Sequence, residues 1–386
     1  LMWLLVAARE PRGMHDPVIY LVYGRGLVDT GQYLAIMRTA KTAYFPVGYP
    51  FFVSLVMRAG DLTGLWSYGF LPQQVANVVV GAAAAPLTYW VATWVVPRKV
   101  AKGAALVVAV MPSQILYSST ILSEVLFQAL LLGCVGCLFA ARRMGGQSGA
   151  PAGLALFAGG VLLGAATMVR GVAAIVPIVV LAVLARTVGW RAAVRATAIV
   201  CMGAAVLTVP WALRNVAVFD RWVGLSTNVG DDFCIGNAPG ASGAFELQPA
   251  CFTDANADMF TPAAEAGRSD EAMDVGLTAI RDDPGRMPGL TVRKARALMS
   301  RDWDGLWVAE SYGEDRFLPA WARTAIVWGA NGSWFTLLAF SAWGLFALGR
   351  QRSWPPRLLV AIPLALLVLP LAFFGEPRFH FPAVPF

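Results

Sequence analysis

Long apolar stretches, each near the length of a bilayer crossing, recur along this 386-residue chain and leave it little to fold into except a bundle of membrane helices. They run roughly over 72–96, 101–118, 121–140, 152–169, 171–186, 196–213, 325–348 and 358–374. A helix needs about 20 apolar residues to cross the hydrocarbon core. Backbone groups in lipid must be satisfied within the protein, so an all-α polytopic membrane protein is predicted. With 58% hydrophobic and 14% charged residues, a soluble core-and-surface arrangement is excluded. Leu1 to Ala8 reads as the tail of a further span, because the chain opens inside an apolar run without an initiator Met or a basic leader. Phe386 follows a span closely, and residues are expected beyond both ends.

The net charge of +7 does not indicate nucleic acid, since the basic residues form no patch with interleaved aromatics. They sit in short loops instead: Arg98, Lys99 and Lys102; Arg142 and Arg143; Arg186, Arg191 and Arg195; Arg350, Arg352 and Arg357. These are alternate loops, and the positive-inside bias assigns them to the cytoplasm. The parity requires the short run from Phe45 to Met57, bracketed by Pro46, Pro50 and Gly60, not to cross, and it is predicted as a half-length or interfacial helix on the outer side. Three units follow: a transmembrane core over 1–213 with a first outer loop at about 9–71, an extracytoplasmic cap over 214–323, and C-terminal helices over 324–386 that lead into a last outer loop.

The cap is rich in Gly, Asp, Asn and Pro, with turns expected around Asn237 to Gly243 and an amphipathic helix through Leu290 to Met299. Of the five cysteines, Cys234 and Cys251 both fall in the cap, where an oxidising compartment permits a disulfide; the alternative is two free thiols. Cys134 and Cys137 form a CxxC inside an apolar span and read as small packing residues. No internal repeat and no inverted pair of broken helices is present, as a secondary transporter would often have.

Ionisable residues where outer loops meet spans are costly, and hence functional candidates: His15, Asp16, Asp29, Lys41, Glu124, Arg170, Glu376, Arg378 and His380. Asp16, in HDPVIY, reads either as a helix N-cap ahead of Pro17 or as a catalytic carboxylate. Tyr20, Tyr23 and Tyr33 follow it along a stretch suited to the membrane surface. Glu124, in YSSTILSEVLF, lies about one turn inside an apolar segment and needs a partner or a purpose; Ser118, Ser119 and Ser123 are the local candidates. Arg170 and Arg378 are each able to bind phosphate oxygens bidentately or to anchor on lipid headgroups. Asp302 and Asp304 form a DxD that could hold a divalent ion, a pattern also common by chance. His15 and His380 are the only histidines, and two ligands are too few to argue for zinc. The glycines of GNAPGASG, Gly236 to Gly243, are turn chemistry and not a nucleotide loop.

Several stretches together resemble the GT-C superfamily of membrane glycosyltransferases, in particular the bacterial relatives of the protein O-mannosyltransferases and of the enzyme that adds aminoarabinose to lipid A. They are HDPVIY, FPVGYPFF at Phe45 to Phe52 with Tyr49, MPSQILYSSTILSEVLF at Met111 to Phe127, MVRGVAAIVP at Met168 to Pro177, PWALRN at Pro210 to Asn215, LSTNVGDDFCIGNAPGASG at Leu225 to Gly243, and GEPRFHFPAVP at Gly375 to Pro385. Their order spans nearly the whole chain. Val47 departs from the more usual PPGYP pattern, which bears on the local loop shape.

The resemblance implies a helix bundle with interfacial helices in the first outer loop. It maps an essential acidic residue onto Asp16, a second acidic position onto Glu124 and a phosphate-contacting arginine onto Arg378. Arg170 and Lys41 are expected to assist that arginine, and His15, Tyr20, Tyr49 and His380 to line the substrate. It implies a polyprenyl-phosphate-linked sugar donor entering from the membrane lipids, a lipid, glycan or protein acceptor, and an inverting transfer with Asp16 as general base. No cofactor is required by that scheme, although a divalent cation remains compatible with it. The setting expected is the bacterial inner membrane, with the active site facing the periplasm or exterior. The alternatives are a lipid or lipid-linked sugar flippase, in which these residues would line a headgroup path, and an O-antigen ligase-like enzyme relying on outer arginines and a histidine.

Overall fold

The structure, a computed structural model, describes residues 2–36, 40–64, 70–144, 149–252, 261–351 and 353–386. The expected all-α polytopic architecture is what is found: the described residues contain helices and only isolated β-bridges, Leu34 with Lys41 and Ala244 with Gly375. A short helix α1 (Met2–Ala7) leads to two helices ahead of the first long apolar stretch, α2 (Asp16–Thr30) and α3 (Gly48–Thr63). These pack on each other, with Arg25 of α2 ion-paired to Asp61 of α3 at 3.1 Å. At 16 residues α3 extends about 24 Å, short of the roughly 30 Å hydrocarbon core, and it carries Arg58 and Asp61.

The helices of the bundle follow: α4 (Leu71–Ala82) and α5 (Ala84–Ala92), α6 (Arg98–Val110) and α7 (Pro112–Ser118), α8 (Ser123–Met144), α9 (Gly149–Val169), α10 (Val176–Ala185) and α11 (Trp190–Phe219). The cap contains α12 (Val229–Asn237), α13 (Pro262–Asp282), α14 (Met287–Leu298) and α15 (Asp304–Ala309). The chain then returns through α16 (Ala320–Gly349) and α17 (Trp354–Val368).

Among the described residues 5 helical stretches are long and apolar enough to cross, and up to 6 if the pair α6 and α7, bent by 53°, counts as one. The sequence suggested more. The segment over 171–186 is an opening 3₁₀ turn followed by α10, short for a full crossing, whereas α16, at 30 residues, has the length of one. The bend between α6 and α7 falls at Pro112, whose ring cannot join the hydrogen-bond ladder.

Helix α9 packs on both α8 and α11, and its contact with α11 is backbone to backbone. A Cβ at Gly160 would stand 2.2 Å from the Val200 carbonyl oxygen, and one at Gly203 2.3 Å from that of Phe157. Without a hydrophobic drive between helices in lipid, such close approach supplies the van der Waals contact that holds them. Gly203→Val is therefore expected to push α9 and α11 apart, lowering the thermal midpoint of the detergent-extracted protein by an overpacking cost of about 1–3 kcal/mol; an unchanged midpoint would refute the tight crossing.

Successive crossings carry Arg98, Lys99, Arg142, Arg143, Arg186, Arg191, Arg350 and Arg357 to the end of the bundle opposite Asp16. Arg352 lies outside the described residues. The cap sits at the Asp16 end. Its helices α12 and α13 pack together, and Cys234 and Cys251 are joined in a disulfide beneath them. The cross-link closes a loop of 17 residues, so Cys251→Ser is expected to destabilise the cap by about 2–4 kcal/mol. Faster proteolysis of the 229–282 segment than in wild type would report it.

Candidate functional site

Segments far apart in the chain converge where the bundle meets the cap. Asp16 opens α2, but His15 holds the N-cap position and makes no side-chain cap, so the Asp16 carboxylate is free to turn elsewhere. It accepts a hydrogen bond from Arg378 Nη1, 362 positions away in the chain. Arg378 also donates from Nε to Glu376 Oε2 at 2.7 Å and stands 3.9 Å from Glu124 Oε1. Arg378 is brought there by the loop leaving α17, which rises to the cap after Pro370.

Glu124, in the first turn of α8, is completely buried. The Arg170 guanidinium, at the end of α9, donates to Glu124 Oε1 at 2.5 Å and to Ser123 Oγ at 3.2 Å. Ser118 and Ser119, the other local candidates, donate to their own helix carbonyls instead. Phe379 lies beneath both guanidinium groups, 5.2 Å from Arg170 Cζ and 5.7 Å from Arg378 Cζ, a favourable cation–π placement.

Burial acts to lower the Arg378 pKa, and the charges of Glu376, Asp16 and Glu124 outweigh it, so the guanidinium is held firmly protonated. Burial likewise pushes the Glu376 carboxyl up against the pull of Arg378. Among the described residues no acceptor engages Arg378 Nη2 or Arg170 Nη2. The cluster therefore keeps cationic donors in reserve for an anion.

The other residues picked out from the sequence lie around this cluster or apart from it. His15 stacks on Tyr312, with centroids 4.1 Å apart, and faces Glu314 at 3.7 Å. Tyr20 is buried edge-on to Tyr49, whose hydroxyl is bonded to Asn77. Lys41 is exposed in its bridge with Leu34 and makes no ion pair with the cluster among the described residues. His380 is buried flat against Trp334 at 3.8 Å, and its ring nitrogens are taken by the Leu298 carbonyl at 2.8 Å and Asp302 at 3.0 Å. Asp302 is thus committed to His380, and Asp304 to Arg301 at 2.6 Å.

Residues not singled out from the sequence also reach the site. Ser311, Tyr312 and Gly313 are consecutive residues with φ of 50°, 57° and 96°, a strained run of the sort that tends to mark functional segments. Burial, and next the charge of Asp16, push the Tyr312 hydroxyl pKa up. From the cap, Asp232 of α12 comes under the charges of Arg378, Asp16 and Arg170. The only hint was the doubled acid in GDDFCIG, and nothing local distinguishes Asp231 from Asp232.

A cleft of about 380 Å³ opens between the segment 222–230, Gly171 in the 3₁₀ turn that follows Arg170, and α13. Trp222, Val223, Leu225, Val229 and Met273 line it, with Ser269 and Asp270 on its rim.

No protein-family model and no curated protein matches this sequence. Solved structures do match. The crystal structure of the Archaeoglobus fulgidus oligosaccharyltransferase in complex with Zn and sulfate aligns over 97% of this chain with a TM-score of 0.55 at 17% identity. The archaeal oligosaccharyltransferase AglB from the same organism, in complex with an inhibitory peptide and a dolichol-phosphate, aligns over 100% of this chain with a TM-score of 0.52 at 14% identity. This chain covers only 44% and 48% of those proteins, less than half their length. ArnT from Cupriavidus metallidurans bound to undecaprenyl phosphate aligns over 99% of this chain and 75% of its own, at 17% identity and a TM-score of 0.44, too loosely to argue from. At such identities the likeness establishes the fold and nothing finer.

Proposed function

We propose that this chain, which has the GT-C membrane glycosyltransferase fold, transfers a sugar from a polyprenyl-phosphate donor to an acceptor hydroxyl with inversion. The observation that supports this most is the convergence of Asp16, Glu124, Arg170, Glu376 and Arg378 at one end of the bundle, with guanidinium N–H groups left unengaged. An isoprenoid phosphate reaches such a site sideways from the bilayer, and the oligosaccharyltransferase neighbour is one seen with a dolichol-phosphate. The basic loops at the opposite end favour a site facing the periplasm or exterior of a bacterial inner membrane.

In this reading Arg378, assisted by Arg170, holds the donor phosphate and stabilises the charge that grows on it as the glycosidic bond breaks. The incoming phosphate competes with Asp16 for Arg378 Nη1. Asp16, released from the pair, takes the proton of the acceptor hydroxyl as its oxygen attacks the anomeric carbon from the face opposite the phosphate. Glu124 fixes Arg170 and, through it, the position of the donor phosphate. His15, Tyr20 and Tyr49 shape the floor of the first outer loop, and Lys41 would help only through longer-range attraction. Sugar identity and acceptor class are set by contacts outside this cluster.

The test is release of polyprenyl phosphate by protein purified with native lipids, given a panel of polyprenyl-phosphate sugars. Wild type is expected to release it, and Asp16→Asn to be slower by about 10²–10⁴-fold. Equal release by the variant removes Asp16 from the chemistry, and no release from any donor returns the chain to a lipid-transport reading.

A further inference from the structure

We infer that Asn237, aimed by the buried Lys294, is a positioning residue that sets where Arg378 stands in the site. Its predicted effects on rate rest on the glycosyl-transfer reading above; the clip itself rests on hydrogen bonds between the cap and the loop after α17.

Glu376 and Arg378 belong to a turn that the cap grips on both sides. Upstream, Asn237 Nδ2, at the end of α12, donates to the Ala372 carbonyl at 2.9 Å, and Gly375 N–H donates to the Gly243 carbonyl at 2.8 Å. Neither seat has room for a side chain. A Cβ at Gly236 would stand 1.7 Å from the Phe373 carbonyl oxygen, and one at Gly375 1.9 Å from the carbonyl oxygen of Lys294. Downstream, His380 Nδ1 is bonded to the Leu298 carbonyl at 2.8 Å, one turn beyond Lys294 on α14. Between the two grips Glu376 Oε2 accepts from Arg378 Nε at 2.7 Å, and Arg378 Nη1 reaches Asp16. A shift of the 372–376 segment is therefore passed to the guanidinium.

The side-chain amide of Asn237 has a single possible orientation. Lys294 Nζ donates to its Oδ1 at 2.8 Å, while its Nδ2 donates to the Phe233 carbonyl at 2.8 Å and to that of Ala372. An ammonium can only donate and a carbonyl can only accept, so oxygen and nitrogen cannot exchange places. Asn237 is 1% exposed and Lys294 0%, and no carboxylate pairs with Lys294 among the described residues. A buried cation facing a neutral amide is costly. The C-terminal end of α12 offsets part of that cost, and Arg286 gathers there too, donating to the carbonyls of Asn237 and Ala238. What the ammonium adds is direction: it holds the amide oxygen, so that the N–H faces Ala372.

The experiment compares Asn237→Asp and Lys294→Met with wild type by release of polyprenyl phosphate, thermal midpoint and hydrogen exchange over 372–378. Aspartate keeps the size of Asn237 and pairs with Lys294, but its second oxygen meets the Ala372 carbonyl with no hydrogen to give. Lys294→Met removes the donor that aims the amide, and with it a buried charge. Both variants are expected to keep the wild-type midpoint and to exchange the Gly375 amide about 10-fold faster. Both are expected to lower kcat by about 10²-fold with little change in donor KM, because the guanidinium and its charge remain. Combined with Arg378→Lys, neither is expected to cost much further, since both act through that guanidinium. Wild-type kcat in both variants, a kcat loss that only follows a fallen midpoint, or an equal loss in the Arg378→Lys background overturns the inference and leaves glycosyl transfer standing. If Asn237→Asp does not fold, Lys294→Met decides by the same readouts. No release by wild type from any donor defeats the transfer reading alone; exchange then decides the clip, and wild-type exchange over 372–378 in both variants refutes it.

Discussion

Arg378→Ala is expected to abolish donor turnover and to weaken the fold at the same time. Its guanidinium is the cation shared by Asp16, Glu376 and Glu124, which reach it from α2, from its own loop and from α8. Removing one member of a buried ion pair typically costs about 3–5 kcal/mol, because the remaining charge stays out of water without compensation. Glu376, whose carboxyl burial already pushes up, would lose the charge that pulls against that shift and would take a proton more readily. Arg378→Lys separates the two effects. A lysine keeps the charge but has one point of contact, and it cannot serve Asp16 and Glu376 at once while leaving a donor for phosphate. The lysine variant is therefore expected to retain most of the thermal midpoint and lose about 10²–10³-fold in release rate, the size of effect seen when one preorganised donor is lost. Wild-type turnover by Arg378→Ala would remove the arginine from the chemistry.

Much of this architecture can be read from the chain because lipid imposes simple rules. Apolar runs mark α4, α8, α9, α11 and α17, and the basic loops sort the two ends. Asp16, Glu124, Arg170 and Arg378 stood out because a charge at the end of an apolar run is conspicuous. Their pairing was not legible. The bond from Arg378 to Asp16 joins positions 362 apart, and it exists only because the loop after α17 and the start of α2 meet the same cap. Asp231 and Asp232 are the same residue type at successive positions, and only the tertiary structure tells them apart: Asp231 is bonded by Arg268 and Tyr44, Asp232 by Asn228. His380 illustrates the converse: conspicuous as one of 2 histidines, it is buried and occupied by Leu298, Asp302 and Trp334. Tyr312 gives no sequence signal, because its position depends on a left-handed backbone run that its residue types do not call for.

Glu124→Gln should alter the site in a way that separates donor binding from catalysis. The side chain is fully buried, and its Oε1 is held by Arg170 at 2.5 Å with Arg378 at 3.9 Å. Glutamine keeps the volume and one acceptor oxygen but removes the negative charge, so both guanidinium groups become more available to an incoming phosphate. Donor KM is then expected to fall. The same change unfixes Arg170, whose other bond is to Ser123 Oγ at 3.2 Å, and misplacement of the phosphate relative to Asp16 is expected to lower kcat by about 10²-fold. A fall in both constants is the pattern of a residue that sets geometry at some cost in ground-state binding. Arg170→Gln alone should instead raise KM, since it removes a phosphate donor and leaves Glu124 with only the more distant Arg378. If Glu124 acts through Arg170, the double variant should show a coupling energy of about 0.5–3 kcal/mol in kcat/KM. Strict additivity would mean that the two residues act independently, and Glu124 would then have to touch the substrate itself.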